Sequence, residues 1–435
     1  MEEKEIKLTA DQQRAYDTMM SGRNCFITGD AGAGKSYIID KYIKDMKGRG
    51  KNVVITASTG IAAASINGTT FHRAFGYPTV PMVPASSFRM MVKGTLKVAD
   101  IIIIDEISML RRDVFDVFCL QLKDVMKEKK KHIQVIIIGD FNQLQPVVQK
   151  EERKVLEKYI PNFGSGFCYL SPLWNELNLV NVKLKEIIRQ KDQAFVDALN
   201  ELKKGNPDAV RWFNESITSK WDGETMVLCS TNNEALEINK SHLDKLSSPE
   251  VVYKEYVTGK QITANDRHND ETVTLKVGAR VMCLVNDKET RYQNGSIGTI
   301  VGIDEKAPHD VTVQFDNGNR CVISYYRWEV KEYDAKEDKL ITNVVATIEQ
   351  IPLRLAWAIT IHKSQGQTYD KIAIKPDNIW IPGQMYVALS RCTSVAGIQL
   401  LSPLVLQRRT PWGSYQRIPL NDPSVQYFYD NLKED

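Results

Sequence analysis

The 435-residue sequence predicts an α/β fold: two doubly wound parallel-sheet domains, with a small antiparallel β-module inserted in the second. Three observations carry this. Short β-branched runs alternate with helical segments through the first 180 residues. The alternation restarts near Leu179, breaks off, and returns at 353–361. In between, from about Val257 to Asn343, the hydrophobic period drops to two and turn signals multiply.

The strand candidates 24–28, 52–57, 101–105 and 133–139 are near-continuous apolar runs, which suits strands buried on both faces of a parallel sheet. Helices are expected at 36–46, 61–65 and 112–127. The second set offers a helix at 193–203, a strand at 226–230 and a helix at 233–246. Short strands at 278–285, 298–303, 311–315 and 320–324 follow, with Asn294-Gly295 and Asp316-Asn317-Gly318 as hairpin turns. The expected boundaries are 1–180 for the first domain, 181–256 with 344–435 for the second, and 257–343 for the inserted module.

Composition narrows the function classes. With 57 Lys+Arg against 54 Asp+Glu the net charge is only +3, so a nucleic-acid partner would need a local groove, not a basic tail. The 7 Cys are scattered without a CxxC pair, the pattern of reduced thiols in a cytosol-like compartment. None of the 6 His falls in an HxxxH spacing, which argues against a protein-ligated catalytic metal. The N-terminus MEEKEIKLTADQQ has no apolar signal region, and the apolar runs are too short for a bilayer. A soluble intracellular protein with no membrane partner is expected.

Gly29-Asp30-Ala31-Gly32-Ala33-Gly34-Lys35-Ser36 satisfies GxxxxGK[ST] between a strand and a helix. Such a loop turns successive backbone N–H groups toward phosphates. Lys35 would pair with the β/γ-phosphates and Ser36 would ligate Mg²⁺. The run 101–104 ends in Asp105-Glu106; strand C-ends line the ligand crevice of α/β sheets, so Asp105 suits Mg²⁺ and Glu106 can take a proton from water. Gly139-Asp140-Phe141-Asn142-Gln143 follows another such strand, with Gln143 the candidate sensor of the γ-phosphate. Arg189 and Arg391 are candidate arginine fingers from the second domain.

Three polar loops could grip a nucleic-acid backbone: Ser58-Thr59-Gly60, Thr69-Thr70-Phe71-His72 and His362-Lys363-Ser364-Gln365-Gly366-Gln367. Phe71 or His72 could stack on a base.

Taken in order, these segments resemble the motifs of superfamily 1 helicases, most closely the RecD-like 1B group and its Pif-one (petite integration frequency) branch, along nearly the whole chain. Leu8-Thr9-Ala-Asp-Gln12 resembles the Q motif, whose glutamine reads adenine. Residues 57–63 resemble motif Ia, Thr70-Phe71-His72 motif Ib, Asp105-Glu106-Ile-Ser-Met109 motif II, and 139–146 motif III. Ile188-Arg189-Gln190 looks like motif IV, 360–366 like motif V and 384–391 like motif VI. Ser108-Met-Leu followed by Val114-Phe115-Asp116 resembles a stretch peculiar to that branch.

The resemblance implies two RecA-like domains, an SH3-like inserted module and a small wedge-type insertion at about 73–97. It also implies Thr231 and Asn232 as DNA contacts and Gly366 at the nucleotide. The implied activity is ATP- and Mg²⁺-dependent 5′-to-3′ unwinding by a monomer acting on single strands, junctions and G-quadruplexes. The alternative is an ATPase that strips proteins from DNA. A P-loop kinase would leave the second domain without a task, and no N/TKxD base reader supports a GTPase. The tail after Pro403 matches no pattern.

Overall fold

The structure, a computed structural model, describes residues 8–30, 32–185, 192–263, 266–304, 310–409 and 414–434. The chain forms two compact units: 1–190 with 331–343 and 422–435, and 191–330 with 344–421.

The first unit is built on six strands: β1 (Cys25–Gly29), β2 (Val53–Ala57), β3 (Thr69–Thr70), β4 (Ile101–Asp105), β5 (Gln134–Ile138) and β6 (Val180–Leu184). Their order is β3-β2-β4-β5-β1-β6, and neighbours run parallel. Every residue of β1, β2, β4 and β5 is buried, as continuous apolar runs require. Alternate side chains sort to opposite faces. Ile27, Ile55, Ile103 and Ile136 pack with Ala15, Met19, Ile38 and Tyr42 of the helices Ala10–Met20 and Lys35–Gly48. Phe26, Val54, Ile102 and Ile137 pack with Phe115, Phe118 and Leu122 of the helix Arg112–Lys129.

Three segments depart from the expected boundaries. β6 pairs with β1 (Cys25 opposite Val180), so the first sheet continues past residue 180. Its Val-Asn-Val-Lys-Leu alternation marks an edge strand, buried at Val180, Val182 and Leu184, and reads equally well as the start of a second set. Residues 331–343, from the hairpin of Tyr326–Lys336 and Lys339–Gln350, also belong to the first unit. There the Tyr333 hydroxyl accepts from the Ile55 N–H at 3.2 Å and donates to the Ile55 carbonyl at 3.3 Å. The third segment is the C-terminal helix Pro423–Asp430.

In the second unit, Ala358–Thr360, Val227–Cys229, Ile372–Ile374 and Ile398–Leu400 form a parallel sheet in that order. The inserted module is a five-stranded antiparallel sheet ordered Arg320–Ile323, Val311–Phe315, Ile297–Ile303, Arg280–Cys283, Leu353–Leu355. Its core holds Val281, Ile300, Val313, Phe315 and Ile323. Leu353–Leu355 lies beyond residue 343, so the module's sheet closes later than its period-two pattern suggests. Among the described residues, no helix is long and apolar enough to cross a membrane.

Candidate nucleotide site and nucleic-acid interface

In the first unit, the C-terminal ends of β1, β4 and β5 carry the phosphate loop, the acid pair and the Asp140–Gln143 turn. Gly29 ends β1 because β6 passes too close for any side chain: a Cβ there would lie 2.7 Å from the Leu184 carbonyl. Gly34, at φ 80°, enters the helix Lys35–Gly48 from the left-handed region, so no side chain caps the amides of its first turn. Lys35 Nζ donates to the carbonyls of Gly29 at 2.6 Å and Asp30 at 3.0 Å, lying along the loop whose phosphate it would hold. Ser36 is exposed at the first turn, while Ala33 is buried and Gly32 half-buried. Ala31 lies outside the described residues.

Gln12 completes a capping box with Thr9 and donates from Nε2 to the Ala33 carbonyl at 3.2 Å. It therefore ties the first helix to the phosphate loop.

Burial raises the Asp105 carboxyl well above the usual carboxylate range; the Glu106 charge adds to this, and nearby Lys35 opposes it. That protonation preference is what a cation reverses, and Asp105 stands within electrostatic reach of the phosphate-loop lysine. With Ser36 it supplies hard oxygens of the kind Mg²⁺ takes beside phosphates, so the residues fit that ion. Glu106 sits at φ 50°, an uncommon conformation for a non-glycine residue and one often found at active sites. Ser58 fastens the end of β2 to this acid pair, donating from Oγ to the Glu106 carbonyl at 2.8 Å and from N to the Asp105 carbonyl at 3.3 Å. Gln143 is buried, its N–H donating to the Asp140 carbonyl at 3.1 Å.

Thr59 caps the helix Gly60–Ser65, accepting from the Ala62 N–H. His72 is half-buried, and burial followed by the Arg111 charge lowers its pKa. Phe71 corrects the expectation. It is fully buried against Phe75 and Phe118, at ring distances of 4.9 and 5.2 Å, and has no face to offer a base.

The second unit places Thr231 and the 362–366 loop together, because the parallel neighbours Val227–Cys229 and Ala358–Thr360 end on the same side. Thr231 caps the helix Asn232–Asp244 through a capping box with Glu234. His362 and Lys363 are half-buried, and Gly366 is exposed at φ 77°. Ser364 is a second correction: it is completely buried, with its hydroxyl donating to the Ile361 carbonyl at 2.7 Å.

Asn232, Asn239, Asn269, Arg354, Thr360 and Lys363 line a cavity of about 630 Å³. Arg354 escaped the motif reading. It donates from Nη2 to the His268 carbonyl at 3.0 Å, and burial lowers its pKa. Burial, then the Arg354 charge, also lowers that of Lys363. Asp270, on the same cavity wall and 3.9 Å from Lys363 Nζ, offsets part of that cost for both cations. The available signal was a charged residue inside the apolar strand Leu353–Leu355.

Arg391 does not project as a finger. It is 1% exposed, and its guanidinium donates to the Val387 carbonyl at 2.9 Å, Ser390 Oγ at 3.1 Å and the carbonyls of Gln367 and Ser364 at 3.4 and 3.5 Å. Internal acceptors surround a charge that would otherwise be buried unpaired, and so hold it inward. Arg189 lies outside the described residues.

Residues 7–215 match the family model for PIF1-like helicases. The chain is 30% identical to the ATP-dependent DNA helicase Pif1 of Bdellovibrio bacteriovorus, over 99% of this chain and 93% of that one. It is 31% identical to the Campylobacter jejuni protein of the same name, over 89% of each. The structure of Bacteroides sp Pif1 in complex with ADP-AlF4 superposes with a TM-score of 0.81 at 30% identity, covering 98% of this chain and 97% of that one. Bacteroides Pif1 bound to ssDNA superposes at 0.62 with 31% identity, over 92% and 93%. With the phosphate loop, acid pair and sheet order already in place, these likenesses settle the family: the chain belongs to the PIF1-like helicases.

Proposed function

We propose that the chain is an ATP-dependent DNA helicase that moves 5′ to 3′ along single-stranded DNA and opens duplex at junctions. The observation that carries this reading is the Ser58 hydroxyl on the Glu106 carbonyl, which joins a candidate DNA loop directly to the candidate hydrolytic residue. A strand gripping Ser58, Thr59 and Gly60 would bear on the backbone of Glu106, and binding energy could thereby reach the chemistry.

Lys35 and the phosphate-loop amides hold the triphosphate, and Glu106 accepts the proton of the attacking water oriented by Gln143. Asp105 and Ser36 would hold Mg²⁺, which neutralises phosphate charge when bound. Gln12 lies beside the phosphate loop, where it could also meet the base. In the second unit, Asn232, Lys363 and Arg354, which line one cavity, would supply phosphate contacts, with Thr231 and His362 their neighbours in sequence. The antiparallel module fits the SH3-like domain that the resemblance implies.

The relatives' names as ATP-dependent DNA helicases, and a Bacteroides structure with ssDNA, support the substrate class. A monomer acting also on G-quadruplexes rests on resemblance alone. Steady-state ATPase with and without oligo-dT tests the reading: single strands should stimulate turnover strongly in wild type and weakly in Ser58→Ala. Turnover indifferent to DNA in both proteins would remove it.

A further inference from the structure

The tail that matches no helicase motif carries a residue, Tyr429, that touches the Asp140–Phe141 turn and the residue just before the phosphate loop. Helix Pro423–Asp430 docks on the first unit through Phe428, whose ring lies 5.3 Å from Phe141, 4.5 Å from Tyr169 and 5.9 Å from Trp174. Tyr169 and Ser424 share a hydroxyl contact of 2.7 Å. Asn181 holds the Lys433 carbonyl at 3.0 Å, and Lys185 pairs with Glu434 at 3.1 Å.

This docking delivers the Tyr429 hydroxyl into the sheet's C-terminal edge. The Phe141 N–H donates to it at 3.0 Å, Thr28 Oγ1 lies at 3.0 Å, and Asp140 Oδ1 accepts from it at 3.2 Å. A phenol has one proton to give and can accept from two donors, so the three contacts use its capacity in full, with Thr28 the second donor. Burial pushes the phenol far above its usual pKa, so it keeps the proton that Asp140 accepts.

Thr28 immediately precedes the phosphate loop. Asp140 organises the Gln143 turn, its Oδ1 accepting from Asn142 N at 3.0 Å and Asn142 Nδ2 at 2.9 Å while its carbonyl takes the Gln143 N–H at 3.1 Å. We propose that Tyr429 is a positioning residue for ATP hydrolysis, its hydroxyl fixing the Gln143 turn against the strand that launches the phosphate loop. The proposal rests on the reading of Gln143 as the residue facing the γ-phosphate. Tyr429 touches no substrate; it limits the rotation of the Asp140–Gln143 turn, and a small misplacement of a catalytic group costs rate more than binding.

The test compares Tyr429→Phe, Thr28→Val, Val425→Ala and Gln143→Ala, each as the full chain. Melting temperature, nucleotide affinity (a fluorescent ATP analogue) and DNA-stimulated kcat are measured. Tyr429→Phe and Thr28→Val should lower kcat roughly tenfold while nucleotide affinity stays within about twofold, the mark of an interaction felt in the transition state. Val425, buried on the same helix without polar contact to the turn, should on truncation lower the melting temperature and leave kcat unchanged. Gln143→Ala should fall at least as far as Tyr429→Phe. Wild-type kcat in both Tyr429→Phe and Thr28→Val would overturn the proposal, as would loss of kcat in Val425→Ala matching theirs. Wild-type kcat in Gln143→Ala would instead remove the reading of Gln143. If Tyr429→Phe does not fold, Thr28→Val alone decides, from the other side of the same hydroxyl.

Discussion

Arg391 distinguishes an internal brace from a projecting finger, and Arg391→Ala separates the two. The substitution removes two well-formed bonds, to the Val387 carbonyl at 2.9 Å and Ser390 Oγ at 3.1 Å, and two weaker ones to Gln367 and Ser364. Bonds from a charged donor contribute about 1.5–3 kcal/mol each, so the two good ones place the loss at roughly 3–6 kcal/mol. For a unit of this size each kcal/mol moves Tm by about 2–4 °C, which predicts a fall on the order of 10 °C. Differential scanning fluorimetry of wild type and Arg391→Ala reads this directly. A finger that spends its time in solvent would instead cost about 10³–10⁵ in DNA-stimulated turnover with Tm almost unchanged. A shift under about 2 °C would refute the inward placement, because truncating a buried, bonded charge cannot be that cheap.

Lys35→Ala should abolish ATP hydrolysis yet keep single-strand affinity by fluorescence anisotropy, since the candidate DNA loops lie elsewhere; wild-type turnover would remove the phosphate-loop assignment. Glu106→Gln should bind ATP–Mg²⁺ normally and hydrolyse it at least ~10²-fold more slowly, and loss of nucleotide binding would make the residue structural. Stability should also carry an acid signature. Burial lowers His268 from its usual 6.5 to about 4, with Arg354 adding to the effect and Asp266 opposing it. A depressed histidine leaves the unfolded state binding more protons, so stability is intact above pH 6.5 and falls toward pH 4 by about 1.4 kcal/mol per unit. His268→Phe should shrink the loss of Tm between pH 7 and pH 5, and an equal loss in both proteins would contradict this.

The parts of the fold that repeat a single period were legible before any coordinates. The helix Gln193–Lys203 and the strands Ile101–Asp105 and Val311–Phe315 fall where apolar spacing puts them. What sequence could not reveal was return of the chain to an earlier unit. Tyr333 and Tyr429 look like ordinary aromatics until distant segments bring their hydroxyls to Ile55 and Asp140. At the site, the glycines, Lys35 and the acid pair were legible because phosphate and metal chemistry allows few substitutes. Phe71 and Ser364 misled because a motif does not say which side of a helix or turn faces the core. Phe71 and Phe75, at i and i+4 within the helix Phe71–Phe75, already carried the signal of a buried face. Ser364 sits in the turn His362–Ser364, where a hydroxyl readily bonds the carbonyl three residues back.

On this reading the chain turns ATP hydrolysis into strand separation with a direction. Strand displacement measures it: a labelled duplex with a 5′ single-stranded tail, its counterpart with a 3′ tail, ATP–Mg²⁺, and Glu106→Gln as the control. The labelled strand should be released from the 5′-tailed duplex only, with none released in the control. Release from the 3′-tailed duplex alone would reverse the polarity. ATP turnover on both substrates without release from either would contradict unwinding and leave an ATPase that clears proteins from DNA.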